Sequence, residues 1–314
     1  MSEIKKIATR ESYGAALVEL GQKYGDVVVL DADLADATKI LNFGKAFPDR
    51  YIDCGIAEAN MIGVAAGMST CGFVPFATSF AMFAVGRAFD QIKSSVGYPH
   101  LNVKIVGTNG GVSTGEDGAT HQCNDDIALM RTVPGMTLIC PCDDLEVRAA
   151  VFAAYQHKGP VYIRLGRLPT PVLNDSATYK FELGKGIEMK PGKDVTIVAT
   201  GMMVAMALES AEVLAAKGID ARVIDIHTIK PIDEEIILKA ARETKRLVVA
   251  EEHSMIGGLG EAVCSILARE CPTSVRLVGM GDEYACSGKG EILLKEFGMS
   301  PEKITEKAME LCGK

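Results

Sequence analysis

Short, continuously apolar runs alternate with helix-length amphipathic stretches through the first half of the chain. The runs are VVVLDAD (27–33), FVPFATS (73–79), VKIVGTN (103–109), MTLICP (136–141) and PVYIRLG (160–166). Segments 10–24, 57–70, 80–96 and 143–157 carry helical spacing and predict helices. Strands that are apolar on both faces belong to a mainly parallel sheet covered by helices, so the fold class is α/β. The rhythm breaks where Pro169, Pro171, Pro191, Gly184, Gly186 and Gly192 gather among polar residues. It then restarts with strands at 194–201, 221–228, 246–253 and 274–281 and helices near 203–217, 233–243 and 258–269. Two domains are expected, each a mainly parallel sheet flanked by helices: 1–170, a linker at 171–193, and 194–314.

Composition narrows the class of protein. A chain of 314 residues exceeds the ~250 at which single cores stop growing, which agrees with two domains. The net charge of -8 offers no footprint for nucleic acid or an anionic membrane. The N-terminus MSEIKKIATRESYG has no apolar core of secretory type, so a cytoplasmic protein is expected. Nine cysteines without C-x-x-C or metal-ligand spacing read as reduced, mostly buried thiols. The uncharged segment Ala59 to Gly86 exceeds the ~20 residues that span a bilayer. Its Asn60, Ser69, Thr70, Pro75 and Thr78 instead favour a buried helix, turn, strand and second helix at a protein interface.

Candidate chemistry lies where strands end, because ligands of open parallel sheets gather at the carboxyl edge. Asp31 and Asp33 follow the first strand. YIDCGIAEAN turns through Gly55 and places Glu58 at the start of a Gly/Ala-rich segment, where a carboxylate is costly unless solvated, paired or protonated. The loop TNGGVSTGEDGATHQ (108–122) holds four glycines with Glu116, Asp117 and His121. Arg167 ends VYIRLGR and could clamp an anion with its fork of donors, or stand solvated at a boundary. His227 and His253 end strands of the second domain and read as structural histidines. No phosphate-binding G-x-x-x-x-G-K-[ST], no G-x-G-x-x-G after a strand and no H-E-x-x-H occurs.

The blocks ATRESYGAAL, FPDRYIDCGIAEANM, PFATSFAMF, RAFDQI, GVSTGEDGATHQ, VPGMTLICPCD, IKPID and GGLGEA, in this order, resemble the C-terminal half of transketolases. The resemblance runs over nearly the whole chain, the pyrimidine-binding and C-terminal domains. It implies thiamine diphosphate as cofactor and transfer of a two-carbon ketol unit between a ketose and an aldose. By the resemblance, Glu58 hydrogen-bonds N1′ of the aminopyrimidine and shifts it to the tautomer that deprotonates the thiazolium carbon. A carboxyl group in an apolar setting gains the proton affinity such a shuttle needs. Phe80 and Phe83 match the aromatic wall under the pyrimidine. His121 matches the histidine near the reacting carbon, Asp117 the contact to the C2 hydroxyl, and Arg10 and Arg167 the arginines on the sugar phosphate.

Three positions depart from the family. Its phosphate-binding serine falls at Ala37, with Thr38 adjacent as a replacement hydroxyl. Its phosphate-binding histidine falls at Asn109, and its third aromatic at Gly86. The family's GDG…N diphosphate motif is also missing. The resemblance therefore implies a separate N-terminal diphosphate-binding subunit in an α2β2 assembly, which mainly holds the magnesium or calcium, and self-dimerisation through 59–86. Alternatives are a 1-deoxyxylulose-5-phosphate synthase fragment, the beta subunit of a 2-oxo acid dehydrogenase, or a non-catalytic regulatory or assembly subunit.

Overall fold

The computed structural model describes residues 5–313. The absence of a leader, read from the first residues, falls partly on Met1–Ile4, outside the described residues. The first sheet has seven strands in the spatial order Thr228–Lys230, Thr137–Ile139, Val161–Arg164, Lys104–Thr108, Val74–Phe80, Val27–Asp31 and Tyr51–Asp53. All neighbours run parallel except the first pair. The strands from Val27, Val74, Lys104 and Val161 are buried at every position, which is why they read as unbroken apolar runs. The register sets Asp31 opposite both Asp53 and Thr78, Phe80 opposite Thr108, and Gly107 opposite Arg164, so these residues share the carboxyl edge.

The second sheet has five strands in the order Ser274–Met280, Arg246–Ser254, Val195–Ala199, Ala221–Asp225 and Ile187–Lys190. Only Ile187–Lys190 runs antiparallel to its neighbour. That strand lies inside the stretch read as linker, where Gly- and Pro-rich flanks hide four residues of pairing. The predicted strand 221–228 stops at Asp225, and the chain crosses over so that Thr228–Lys230 becomes the antiparallel edge of the first sheet. The two halves are thus laced by backbone pairing, and one apolar cluster, containing Leu138, Cys140, Val198, Ile224 and Leu247, runs through both.

Helices Thr9–Lys23, Glu58–Thr70 and Asp144–Gln156 fall where the spacing places them. The helix predicted over 80–96 is irregular: wide π-type turns over Met82–Arg87 and Ile92–Gly97 flank the short helix Phe89–Gln91. Such turns recur at functional sites because they re-aim side chains. No helix among the described residues is long and apolar enough to cross a membrane. All nine cysteines are free, but the expectation that most are buried is corrected. Cys123, Cys140 and Cys142 are buried, while Cys71 and Cys286 are exposed on a helix end and a loop.

Candidate active site

Glu58 is placed by the turn before it. Gly55 adopts φ +66, a conformation that glycine enters without strain, and Asp53 Oδ1 accepts from its N–H at 2.8 Å. The helix Glu58–Thr70 begins at once, so the carboxylate sits at a helix N-terminus, where the macrodipole favours negative charge. Glu58 is buried, and of the three ways to keep a carboxylate there, solvated, paired or protonated, the structure shows pairing. Arg87 Nη1 donates to Glu58 Oε1 at 3.1 Å, and Oε2 has no hydrogen-bond partner among the described residues.

The aromatic residues gather beside this pair. Phe80 closes its strand and Phe83 opens the irregular turn, with rings 5.9 Å apart and near parallel. The His121 ring meets Phe83 edge-on at 5.0 Å and Phe80 at 6.4 Å, and its Nδ1 lies 3.0 Å from Thr120 Oγ1. The Arg87 guanidinium lies 4.2 Å from the Phe83 centroid, so Phe83 links the carboxylate to the histidine. A Cβ at Gly86 would meet Met82 Cε at 3.6 Å, so a thioether stands next to the position of the missing aromatic.

Arg10, Asn109, Asp117 and Arg167 form the second group. Arg10 Nη1 donates to the Ala37 carbonyl at 3.1 Å and to Asn109 Oδ1 at 3.4 Å. Burial and the nearby Arg167 charge push the Arg10 guanidinium down from its ordinary value. Asn109 sits at φ +56, an uncommon conformation at a strand end facing a candidate site. Arg167 Nη1 bridges the Thr114 carbonyl and Asp117 Oδ2, the latter at 2.6 Å, so two residues expected to hold different parts of a sugar hold each other here. Thr38 is fully buried and donates to the Leu34 carbonyl at 3.0 Å, so it does not offer the replacement hydroxyl.

The loop carrying Asp117 and His121 is held from the second half. Ser113 N–H donates to Glu252 Oε1 at 2.8 Å, and Gln122 Nε2 donates to the carbonyls of Gly115 and Cys286, both at 3.0 Å. Ser287 Oγ donates to the Glu116 carbonyl. Beneath it, Arg164 Nη2 reaches the Glu252 carbonyl at 2.8 Å while its Nε pairs with the fully buried Asp126 at 2.9 Å. Sequence reasoning passed over Arg87, Arg164, Asp126 and Glu252. Only the block RAFDQI, which contains Arg87, carried a signal. His227, pushed down to about 4 by burial and stacked on Phe181, and His253, bonded to Ser254 and Ala128 backbone, are structural.

The profile of the transketolase pyrimidine-binding domain matches residues 5–171, and that of the transketolase C-terminal domain matches residues 184–304. The chain belongs to the transketolase family. It is similar to the 6-deoxy-6-sulfo-D-fructose transketolase subunit of Clostridium sp. (strain MSTE9), at 45% identity over 96% of this chain and 94% of that one. It is also similar to an apulose-4-phosphate transketolase subunit of Phocaeicola vulgatus, at 39% identity over 98% of both chains. Among solved structures it superposes on a split-gene transketolase described as an inactive β4 tetramer, with TM-score 0.91, 49% identity, and coverage of 98% of this chain and 99% of that one.

Proposed function

We propose that this chain is the pyrimidine-binding subunit of a two-chain, thiamine-diphosphate-dependent transketolase. The observation that carries this reading is the constellation of Glu58, with Oε2 open, beside Phe80, Phe83 and His121 at the carboxyl edge of the sheet. These residues fit the aminopyrimidine half of the cofactor: an aromatic wall for a flat ring and a carboxyl for a ring nitrogen. When bound, thiamine diphosphate supplies a carbon nucleophile that carries the two-carbon unit. In this chain Glu58 would hold and move a proton at the pyrimidine nitrogen, and His121 would serve the oxygen at the reacting carbon.

The candidate metal-ligand cluster among the described residues, Cys142, Glu146 and Asp225, is fully buried and shares no residue with this site. A diphosphate and a magnesium or calcium ion held mainly by a separate N-terminal subunit belong to this reading, supported by relatives named as subunits at nearly this length. Arg10, Arg167 and Asn109 would receive the charged end of the sugar, with Asp117 released to a hydroxyl when Arg167 turns to the anion. A relative named for a sulfo-sugar is compatible with an anion site that has lost the family's serine and histidine. The exposed, uncharged face of Asn60, Gly63, Gly67 and Thr70 on the Glu58 helix supports self-association, as does the tetramer of the split-gene relative.

The test is reconstitution with the diphosphate-binding subunit and a coupled assay of ketol transfer. Transfer that depends on both chains, on thiamine diphosphate and on Glu58 is expected. Decarboxylation of a 2-oxo acid without ketol transfer would replace this reading with that of a dehydrogenase subunit.

A further inference from the structure

Arg87 reaches Glu58 from a different element, across 29 positions of chain. Its side chain is 53% exposed, against 5% for Glu58, so it comes in from the solvent side and closes over a buried carboxylate. An ion pair this exposed contributes little to stability, about 0–1 kcal/mol. Its geometry, however, is specific. One nitrogen meets one oxygen, Oε1, at 3.1 Å, and the flat guanidinium lies 4.2 Å from the Phe83 centroid. The wide turn Met82–Arg87 puts Phe83 and Arg87 four positions apart on one side of an irregular helix, which lets the guanidinium rest against the ring.

We propose that Arg87 is a positioning residue for Glu58. By pinning Oε1 it fixes the rotation of the carboxyl group and leaves Oε2 as the oxygen presented to the ligand. Because it rests on Phe83, the same contact couples the angle of the carboxyl to the angle of the aromatic wall. Proton transfer requires heavy atoms within hydrogen-bond reach, and a misplacement of about 1 Å costs about 10²-fold. A carboxyl freed to rotate would lose that alignment while the sugar site stayed as it is. The inference rests on the reading of Glu58 as the acid–base group.

The experiment compares Arg87→Ala, Arg87→Met and Arg87→Lys with wild type and Glu58→Gln, each in complex with the diphosphate-binding subunit. Arg87→Met keeps an apolar stem over Phe83 and separates lost charge from lost packing. We expect kcat to fall about 10- to 100-fold in the Ala and Met variants, with the sugar KM within about twofold. Lys should recover part of the loss, since a point charge can still reach one oxygen. Thiamine diphosphate binding, measured by calorimetry without substrate, should weaken by no more than about tenfold, with the melting temperature unchanged. In the Glu58→Gln background, Arg87→Ala should cost nothing further, because the two residues act as a unit. The proposal is overturned if Arg87→Ala leaves kcat unchanged, or if its full cost persists in the Glu58→Gln background. A Glu58→Gln complex as active as wild type would instead sink the underlying reading of Glu58.

Discussion

Glu58 shows how a single side chain joins structure to chemistry. Its burial is offset by a helix N-terminus and one arginine, and one oxygen stays free. Glu58→Gln keeps the size and one acceptor but cannot carry the proton. Turnover of the reconstituted enzyme should drop by about 10² to 10⁴, the usual scale for an acid–base group, with cofactor binding retained in calorimetry. Arg167 gives the second prediction at this scale. Charge-assisted bonds contribute about 1.5–3 kcal/mol, so Arg167→Ala should lower kcat/KM for a phosphorylated acceptor by tenfold or more relative to its dephosphorylated analogue. An unchanged ratio would show that Arg167 serves only to hold Asp117. Glu58 and His121 drew attention as polar residues following apolar runs, whereas Phe80 and Phe83 entered only through the transketolase-like blocks; the structure brings the aromatic pair and His121 together and links Phe83 to Glu58 through Arg87. Arg87 was not legible, since an arginine on a helix reads as solvated until its partner is seen. The pairing of Arg167 with Asp117 was hidden for the same reason: their 50-residue separation carries no periodic signal.

At the level of elements, the central strands and long helices followed from apolar runs and helical spacing, whereas elements set by neighbours did not. Thr228–Lys230 pairs with a strand about ninety positions earlier, and Ile187–Lys190 is half-exposed without an apolar run. By its sequence, the Gly-rich loop 108–122 is equally compatible with a close backbone approach to a ligand and with simple turns. The structure shows it clamped, and Gly111 states the reason. It adopts φ +86, and a Cβ there would stand 2.2 Å from Glu252 Oε1, the atom that accepts from Ser113 N–H. Gly111→Ala therefore combines a backbone penalty of about 1–3 kcal/mol with a clash against a buried carboxyl group. The melting temperature should fall, and the sugar KM should rise because Asp117 and His121 ride on this loop. A variant with wild-type KM would show that the clamp does not set the substrate geometry.

For the whole molecule, one buried contact between the halves ties stability to pH. Asp225 ends a strand of the second sheet, and Glu146 lies on the helix Asp144–Gln156 of the first half. Ligand oxygens of the two, with Cys142 Sγ, lie within 4.8 Å of one another, and all three residues are buried. Glu146 accepts from Cys142 N–H at 2.7 Å and from Tyr179 O–H at 2.8 Å, but neither oxygen of Asp225 has a donor in good geometry among the described residues. Asp143, the remaining acid here, is occupied by the N–H groups of Glu146, Leu173 and Asn174. Burial first, and the Glu146 charge second, push Asp225 well above the usual carboxylate range, and burial pushes Glu146 up as well. The folded state thus binds more protons than the unfolded chain, so stability is full below the unfolded value of about 4 and declines as pH rises toward the folded value. Asp225→Asn replaces the acid with a permanent donor toward Glu146 and removes that dependence. Calorimetric melting between pH 5 and about 9 should show a wild-type melting temperature that falls with pH and a flatter variant curve, the two nearest at the acid end and the variant higher at the alkaline end. Parallel curves would mean that the pair is not what couples the halves to pH, and would return the cause to charges on the surface.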